Sequence, residues 1–162
     1  MDIIKNSTFL TLATHNKINP WACLLFYASN ETEDNIQLFF VSSTESKHIK
    51  NIMINPGVAV TIFDSGQEEE NAQGVQIKGE CYIVPRNEYA IVFPYFFKKL
   101  NINDEINDST LKKYDGTPRK IFRIVVHKMY IQDQEHWKKY HIDKRIKIYD
   151  RMPNKHLNEN IK

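Results

Sequence analysis

The sequence predicts a mainly β fold: a small antiparallel barrel of five or six strands, elaborated by two helices. Three observations predict it. Short stretches of period-two alternation recur through the first 85 residues and again near residue 120. Polar or Gly/Pro-containing turns separate them at hairpin distances. Only two stretches, 46–53 and 86–100, change to helical spacing. The 162 residues suit one domain, and 41% hydrophobic content supports a packed core.

Taken in order, Thr8-Phe9-Leu10-Thr11-Leu12-Ala13-Thr14 alternates threonine with apolar residues and reads as a half-buried strand. His15 to Pro20 supplies turn chemistry. Trp21 to Ala28 is apolar on both parities, which predicts a strand buried on both faces. After a polar turn over Ser29 to Asn35, Ile36 to Ser42 is the third strand, antiparallel to the second if that turn closes a hairpin. Ile49, Ile52 and Met53 then mark a helix, with Ser43 or Thr44 available as its cap and Asn55-Pro56-Gly57 stopping it. Val58 to Phe63 is a strand, Asp64 to Gln73 an acidic loop, and Val75 to Val84 a strand whose interior Gly79 predicts a bulge or close backbone approach. Arg86 to Leu100 reads as a helix bent at Pro94, with Tyr89, Val92, Phe93 and Phe96 on one side. Asn101 to Thr117 is polar connection with room for one short helix. Arg119 to Gln132 is the sixth strand. Residues 1–132 thus form the barrel domain and 133–162 a C-terminal extension.

Charge and composition exclude several classes of function. Net charge is only +2, too small to imply nucleic acid or a membrane surface. It divides unevenly: eight Lys or Arg against five acids give the extension +3, leaving −1 on residues 1–132. Cys23 and Cys81 make no disulfide framework and no CxxC pair. His136 and His141 are five apart, so no metal site is expected. No apolar run is long enough to span a bilayer, and the N-terminus lacks signal-peptide order, so a soluble cytoplasmic protein is the expectation. GxSxG, GxGxxG, Walker and HExxH patterns are absent, and 5 glycines argue against a glycine-rich phosphate loop.

One constellation carries chemistry. Val41-Ser42-Ser43-Thr44-Glu45-Ser46-Lys47-His48 leaves a strand and enters a helix, bringing hydroxyls, helix N-terminal amides and two basic side chains together. A phosphate monoester wants such a set of donors, with the helix dipole and positive charge beside it. The same residues also read as an ordinary capped helix with a solvated Lys and His. Cys23, in an apolar strand, reads as packing more readily than as a nucleophile.

The ordered series Thr11-Leu12-Ala13-Thr14, Asn19-Pro20-Trp21, Leu38 to Ser42, Ser46-Lys47-His48-Ile49-Lys50-Asn51-Ile52, Asn55-Pro56-Gly57-Val58-Ala59-Val60 and Val75 to Glu80 resembles the FMN-binding split barrel of the pyridoxamine 5′-phosphate oxidase-like superfamily. The resemblance covers residues 6–85, with Ile121-Phe122-Arg123-Ile124 a looser match to the last strand. It lies nearer an uncharacterised branch than the true oxidases. It implies a six-stranded antiparallel split β-barrel of Greek-key type with two or more flanking helices, FMN as cofactor and a flavin-dependent oxidoreductase. Lys47 stands at the family's Arg position and His48 at its Lys position, both facing the phosphate. Ser46 and Ser42, the latter following Val41, match hydroxyls at the phosphate and ribityl chain. Cys23, Leu24, Leu25 and Phe26 match the segment along the isoalloxazine edge, though many relatives have Arg where Cys23 stands. Gln76 is either a flavin hydrogen-bond partner or an exposed strand glutamine.

The resemblance also implies a homodimer with flavin in a crevice shared by both chains. The aromatic set Phe93, Tyr95, Phe96 and Phe97 is read as excess apolar surface agreeing with it. The C-terminal Trp and Arg stretch by which the oxidases bind their substrate is not matched around Trp137 and Arg145, so pyridoxamine phosphate is not the expected substrate. Trp137 reads either as an anchor of the extension on the barrel or as a cover for a partner's flavin. Two other readings keep the fold: a flavin- or haem-binding protein with little turnover, and an interaction module that has lost its cofactor.

Overall fold

The computed structural model describes residues 2–63, 66, 74–103, 109 and 112–151. The expected acidic loop apart from Gly66, residues 104–108, 110 and 111 of the 101–117 connection, and the end of the extension lie outside the described residues. Helix α1 (Asp2–Asn6) precedes strands β1 (Phe9–His15), β2 (Pro20–Phe26), β3 (Ala28–Glu31) and β4 (Ile36–Ser43). Helix α2 (Lys47–Ile54) leads to β5 (Gly57–Phe63) and β6 (Gly74–Ile83). A 3₁₀ turn (Arg86–Glu88) enters α3 (Tyr89–Leu100), followed by β7 (Arg119–Gln132), α4 (Gln134–Tyr140) and β8 (Arg145–Asp150).

All strands join one antiparallel sheet in the order β2-β1-β5-β6-β7-β4-β3. The 14-residue β7 pairs β4 through its first half and β8 through its second. The two ends of that order, β2 and β3, are separated in the chain only by Tyr27. The sheet must therefore curl until its ends meet, which makes a split barrel. Tyr27 is fully buried at this corner, and its hydroxyl donates to Ile4 O at 2.6 Å, tying α1 to the barrel.

Among the described residues eight strands form, against the six expected. Part of the 29–35 turn is strand, because Ala28–Glu31 finds a partner in Ile36–Phe39. The other addition, β8, comes from the extension: Arg145-Ile146-Lys147-Ile148 alternates charge and apolar residues and docks on the free edge of β7. A larger correction concerns Trp21 to Ala28. It is not a strand buried on both faces: β2 is an edge strand paired only with β1, and Leu24 is 65% exposed. Its inward residues Cys23 and Leu25 pack on the core, while Ala22 and Leu24 on the outward side are exposed.

The interior is filled from alternate strand positions, Leu10, Leu12, Leu38, Phe40, Val60 and Phe122 among them, with Ile49 and Ile52 of α2 closing over it. Phe40 and Phe122 stack with ring centroids 5.4 Å apart. Gly79 behaves as its position in the sequence predicts. The β6–β7 register shifts between Lys78 and Gly79, and a Cβ there would lie 2.4 Å from Val125 O. Only glycine lets the backbones approach so closely.

Outside the barrel, α3 runs unbroken through Pro94 and lays Tyr89, Val92, Phe93 and Phe96 on Ala28, Phe39 and Ile121. Tyr95 stacks on Phe39 at 5.6 Å, and Phe97 joins the same cluster. The aromatic set that suggested excess surface is thus covered within its own chain. Among the described residues, no helix is long and apolar enough to cross a membrane.

Candidate functional site

The site forms where β4 hands over to α2. Ser42 and Ser43 end the strand; Thr44 N donates to Pro118 O at 2.9 Å and Ser46 N to Ser43 O at 3.1 Å, closing a tight turn. The first three amides of α2, those of Lys47, His48 and Ile49, have no acceptor inside the helix. Ser46 stands at the N-cap but does not serve them, since its hydroxyl turns back to donate to Ser43 O at 2.7 Å. The helix therefore begins with its amide donors and its positive dipole end free of a side-chain cap.

His48 enters this turn from within. Its Nε2 lies 2.8 Å from Ser42 Oγ and 3.2 Å from Ser46 Oγ, and the two hydroxyl oxygens are 3.2 Å apart. The Ser46 hydrogen is already spent on Ser43 O. Every contact then pairs a donor with an acceptor when His48 Nε2–H donates to both serines and Ser42 donates to Ser46. Burial lowers the His48 pKa from the ordinary 6.5, and Phe40 packs against its ring with centroids 6.3 Å apart. The imidazole is thus neutral at pH 7, and Lys47, exposed on the first turn, brings the positive charge.

A stability prediction follows from that depressed pKa. Near pH 6.5 the unfolded chain takes up the imidazole proton more readily than the folded one. The His48 contribution is whole above pH 6.5 and is lost as pH falls through the lower folded value. The ligand-free protein is expected to lose melting temperature between pH 7 and 5 more steeply than His48→Gln does. Parallel slopes in thermal scans would show that His48 titrates normally.

The other expected residues divide into two groups. β2 lies against α2 and β4, so the segment Cys23 to Phe26 flanks the cluster. Cys23 faces the core with Sγ 3.9 Å from Leu12 O, and burial raises its pKa, so it remains a thiol. Leu25 points inward with it and Leu24 outward. Phe26 and Val41 face the α3 cluster, where Phe26 stacks on Phe96 at 6.4 Å. Gln76 stands apart from the serines. It pairs Tyr130 on β7 whereas Ser42 pairs Lys120, ten residues away and roughly 33 Å along the strand. There it accepts from Arg145 Nε at 3.1 Å. Trp137 does not anchor the extension in the core: it is 40% exposed and packs edge-on against His141. Among the described residues, no group of three or more His, Cys, Asp or Glu could hold a metal ion.

One polar pair went unnoticed in the sequence. Asn51 and Thr14 are 1% and 3% exposed, and Asn51 Nδ2 donates to Thr14 Oγ1 at 3.1 Å. The signal was a polar residue sharing the apolar face of α2 with Ile49 and Ile52.

The fold and the turn together define a split barrel with a donor-rich strand-to-helix turn, and comparison with known proteins narrows its class. Residues 1–133 match the family described as pyridoxamine 5′-phosphate oxidase, and the chain belongs to that family. A UPF0306 protein of Pasteurella multocida is 33% identical over 79 residues, 49% of this chain and 52% of that protein. The chain thus spans about half the length of that relative. Among solved structures, an FAD-binding protein of Mesorhizobium loti superposes with TM-score 0.58 at 18% identity, over 80% of this chain and 88% of the other. The haem storage protein HutZ of Vibrio cholerae gives TM-score 0.61 at 15% identity, over 80% and 89%. At these identities the likeness establishes the fold.

Proposed function

We propose that the chain binds FMN and works as a flavin-dependent oxidoreductase on a small substrate. The observation that carries this reading is the cluster of Ser42, Ser46 and His48 at the uncapped start of α2. It offers free first-turn amides, with Lys47 beside them and two hydroxyls that can turn from their internal bonds to a phosphate dianion. In this reading Lys47 and the first-turn amides bind the phosphate, Ser42 and Ser46 orient it, and His48 gains a proton as the dianion arrives. The β2 backbone from Cys23 to Phe26 runs along the ring edge. The flavin itself supplies hydride or electron transfer at N5, so the chain needs no acid–base pair of its own.

We also propose a homodimer. The outward face of the sheet places Ala22, Ala13 and Ala59 in one row and Leu24, Thr11 and Thr61 in the next. The three alanines and Leu24 are exposed. An antiparallel sheet with one solvated face normally turns polar residues outward. This smooth apolar face suits a second copy of itself.

FMN and riboflavin titrated into the flavin-free protein, followed by flavin fluorescence, test the cofactor. FMN is expected to bind at least about tenfold more tightly, since one charge-assisted hydrogen bond contributes roughly 1.5–3 kcal/mol. Equal affinity for the two would remove the phosphate from this turn, and binding of neither would leave the barrel without flavin. Haem added in the same way tests the other reading: a saturable Soret shift displaced by FMN would make this a haem carrier.

A further inference from the structure

We propose that Asn51 and Thr14 are positioning residues that fix the spacing between the phosphate-binding start of α2 and the flavin-facing strand β2. The proposal rests on the FMN reading above. FMN is held at two ends, and both ends contribute fully only when the protein presents them at the ligand's own separation. The phosphate end belongs to α2 and the ring end to β2, and β1 is in contact with both.

Apolar packing alone would leave that spacing loose. Ile49 and Ile52 hold α2 on the barrel through contacts that have no direction along the helix axis. The hydrogen bond from Asn51 Nδ2 to Thr14 Oγ1, at 3.1 Å, does have one. Thr14 is the register partner of Trp21, and its hydroxyl reaches Trp21 O at 3.5 Å. A polar line therefore runs from α2 across β1 to β2, two residues before Cys23. Asn51 lies one turn after Lys47 and three residues after His48, on the helix that bears the phosphate donors. A second tether joins the same elements: Asn55 Nδ2 lies 2.6 Å from His15 Nε2. Both members of the inner pair sit in an otherwise apolar core, where well-packed hydrophobic residues would serve folding as well. Their polarity is explained by alignment.

The test separates alignment from folding. The double variant Thr14→Val/Asn51→Leu replaces the pair with apolar side chains of similar size. It is expected to keep or raise the parent's melting temperature, yet to bind FMN about tenfold more weakly, the scale of loss when a supporting hydrogen bond is removed. Riboflavin, which engages only the ring end, should bind the variant and the parent alike. Thr14→Ser, which retains the hydroxyl, should restore FMN binding relative to Thr14→Val, and this pair serves if the double variant does not fold. Unchanged FMN affinity in a folded double variant, or an equal loss for riboflavin and FMN, would overturn the proposal. Failure of the parent itself to bind FMN would instead overturn the cofactor reading and the proposal with it.

Discussion

Replacing Lys47 and His48 together by alanine is expected to weaken FMN binding by about a hundredfold or more and to leave riboflavin binding nearly unchanged. The two side chains act differently. Lys47 is an exposed cation, so its loss removes long-range attraction and one charge-assisted hydrogen bond. His48 is buried among Ser42, Ser46 and Phe40 and neutral before ligand arrives, so its loss also releases the two serines from their fixed directions. Charge-assisted hydrogen bonds contribute roughly 1.5–3 kcal/mol each, and every 1.4 kcal/mol is tenfold in affinity. His48→Gln, which keeps a donor but not the titratable charge, should fall between the parent and the double variant. It should also abolish the rise in FMN affinity that proton uptake by His48 predicts as pH is lowered from 8 towards 6. Fluorescence titration across that range distinguishes the contributions. An affinity unmoved by the double replacement would place the phosphate elsewhere.

What the sequence made legible follows from which signals are local. Strand alternation at Thr8 to Thr14, the Asn55-Pro56-Gly57 stop and the bulge at Gly79 each depend on a few neighbouring residues, and each appears where expected. The buried side of α3 was equally readable, because the spacing of Tyr89, Val92, Phe93 and Phe96 sets it. The environment of Trp21 to Ala28 was not. Apolarity on both parities does not tell a covered face from a bare one: here the inward face meets the core, while Leu24 and Ala22 on the other side are exposed. Strand β8 was missed because Arg145 to Asp150 draws its partner from the edge left when β4 stops at Gln37 opposite Val125. Such an edge exists only in three dimensions. At the site, the sequence brought Ser42, Ser46, Lys47 and His48 together, and the fold does the same. It gave no hint that His48 turns inward to the serines rather than outward beside Lys47. That direction depends on the ring of Phe40 and the depth of the turn.

The bare face of β2 leads to the second large effect. Leu24→Glu is expected to convert the proposed dimer to a monomer and to remove most FMN binding, although Leu24 is largely exposed within its own chain. The side chain is 65% exposed at mid-strand, opposite Thr11, beside a row of exposed alanines. Small side chains on a smooth sheet let another sheet approach closely, and a carboxylate buried there without a partner costs about 2–5 kcal/mol. Two-fold symmetry brings the same substitution into the interface twice. As a free monomer the variant should fold normally, since a glutamate at that position points into solvent. Its melting temperature at low concentration should match that of the dissociated parent. Sedimentation equilibrium on parent and variant, with and without FMN, measures both consequences. A flavin crevice shared by two chains requires dimerisation and FMN affinity to fall together. A monomeric Leu24→Glu that still binds FMN at full strength would confine the site to one chain, and a dimeric one would move the interface to another face.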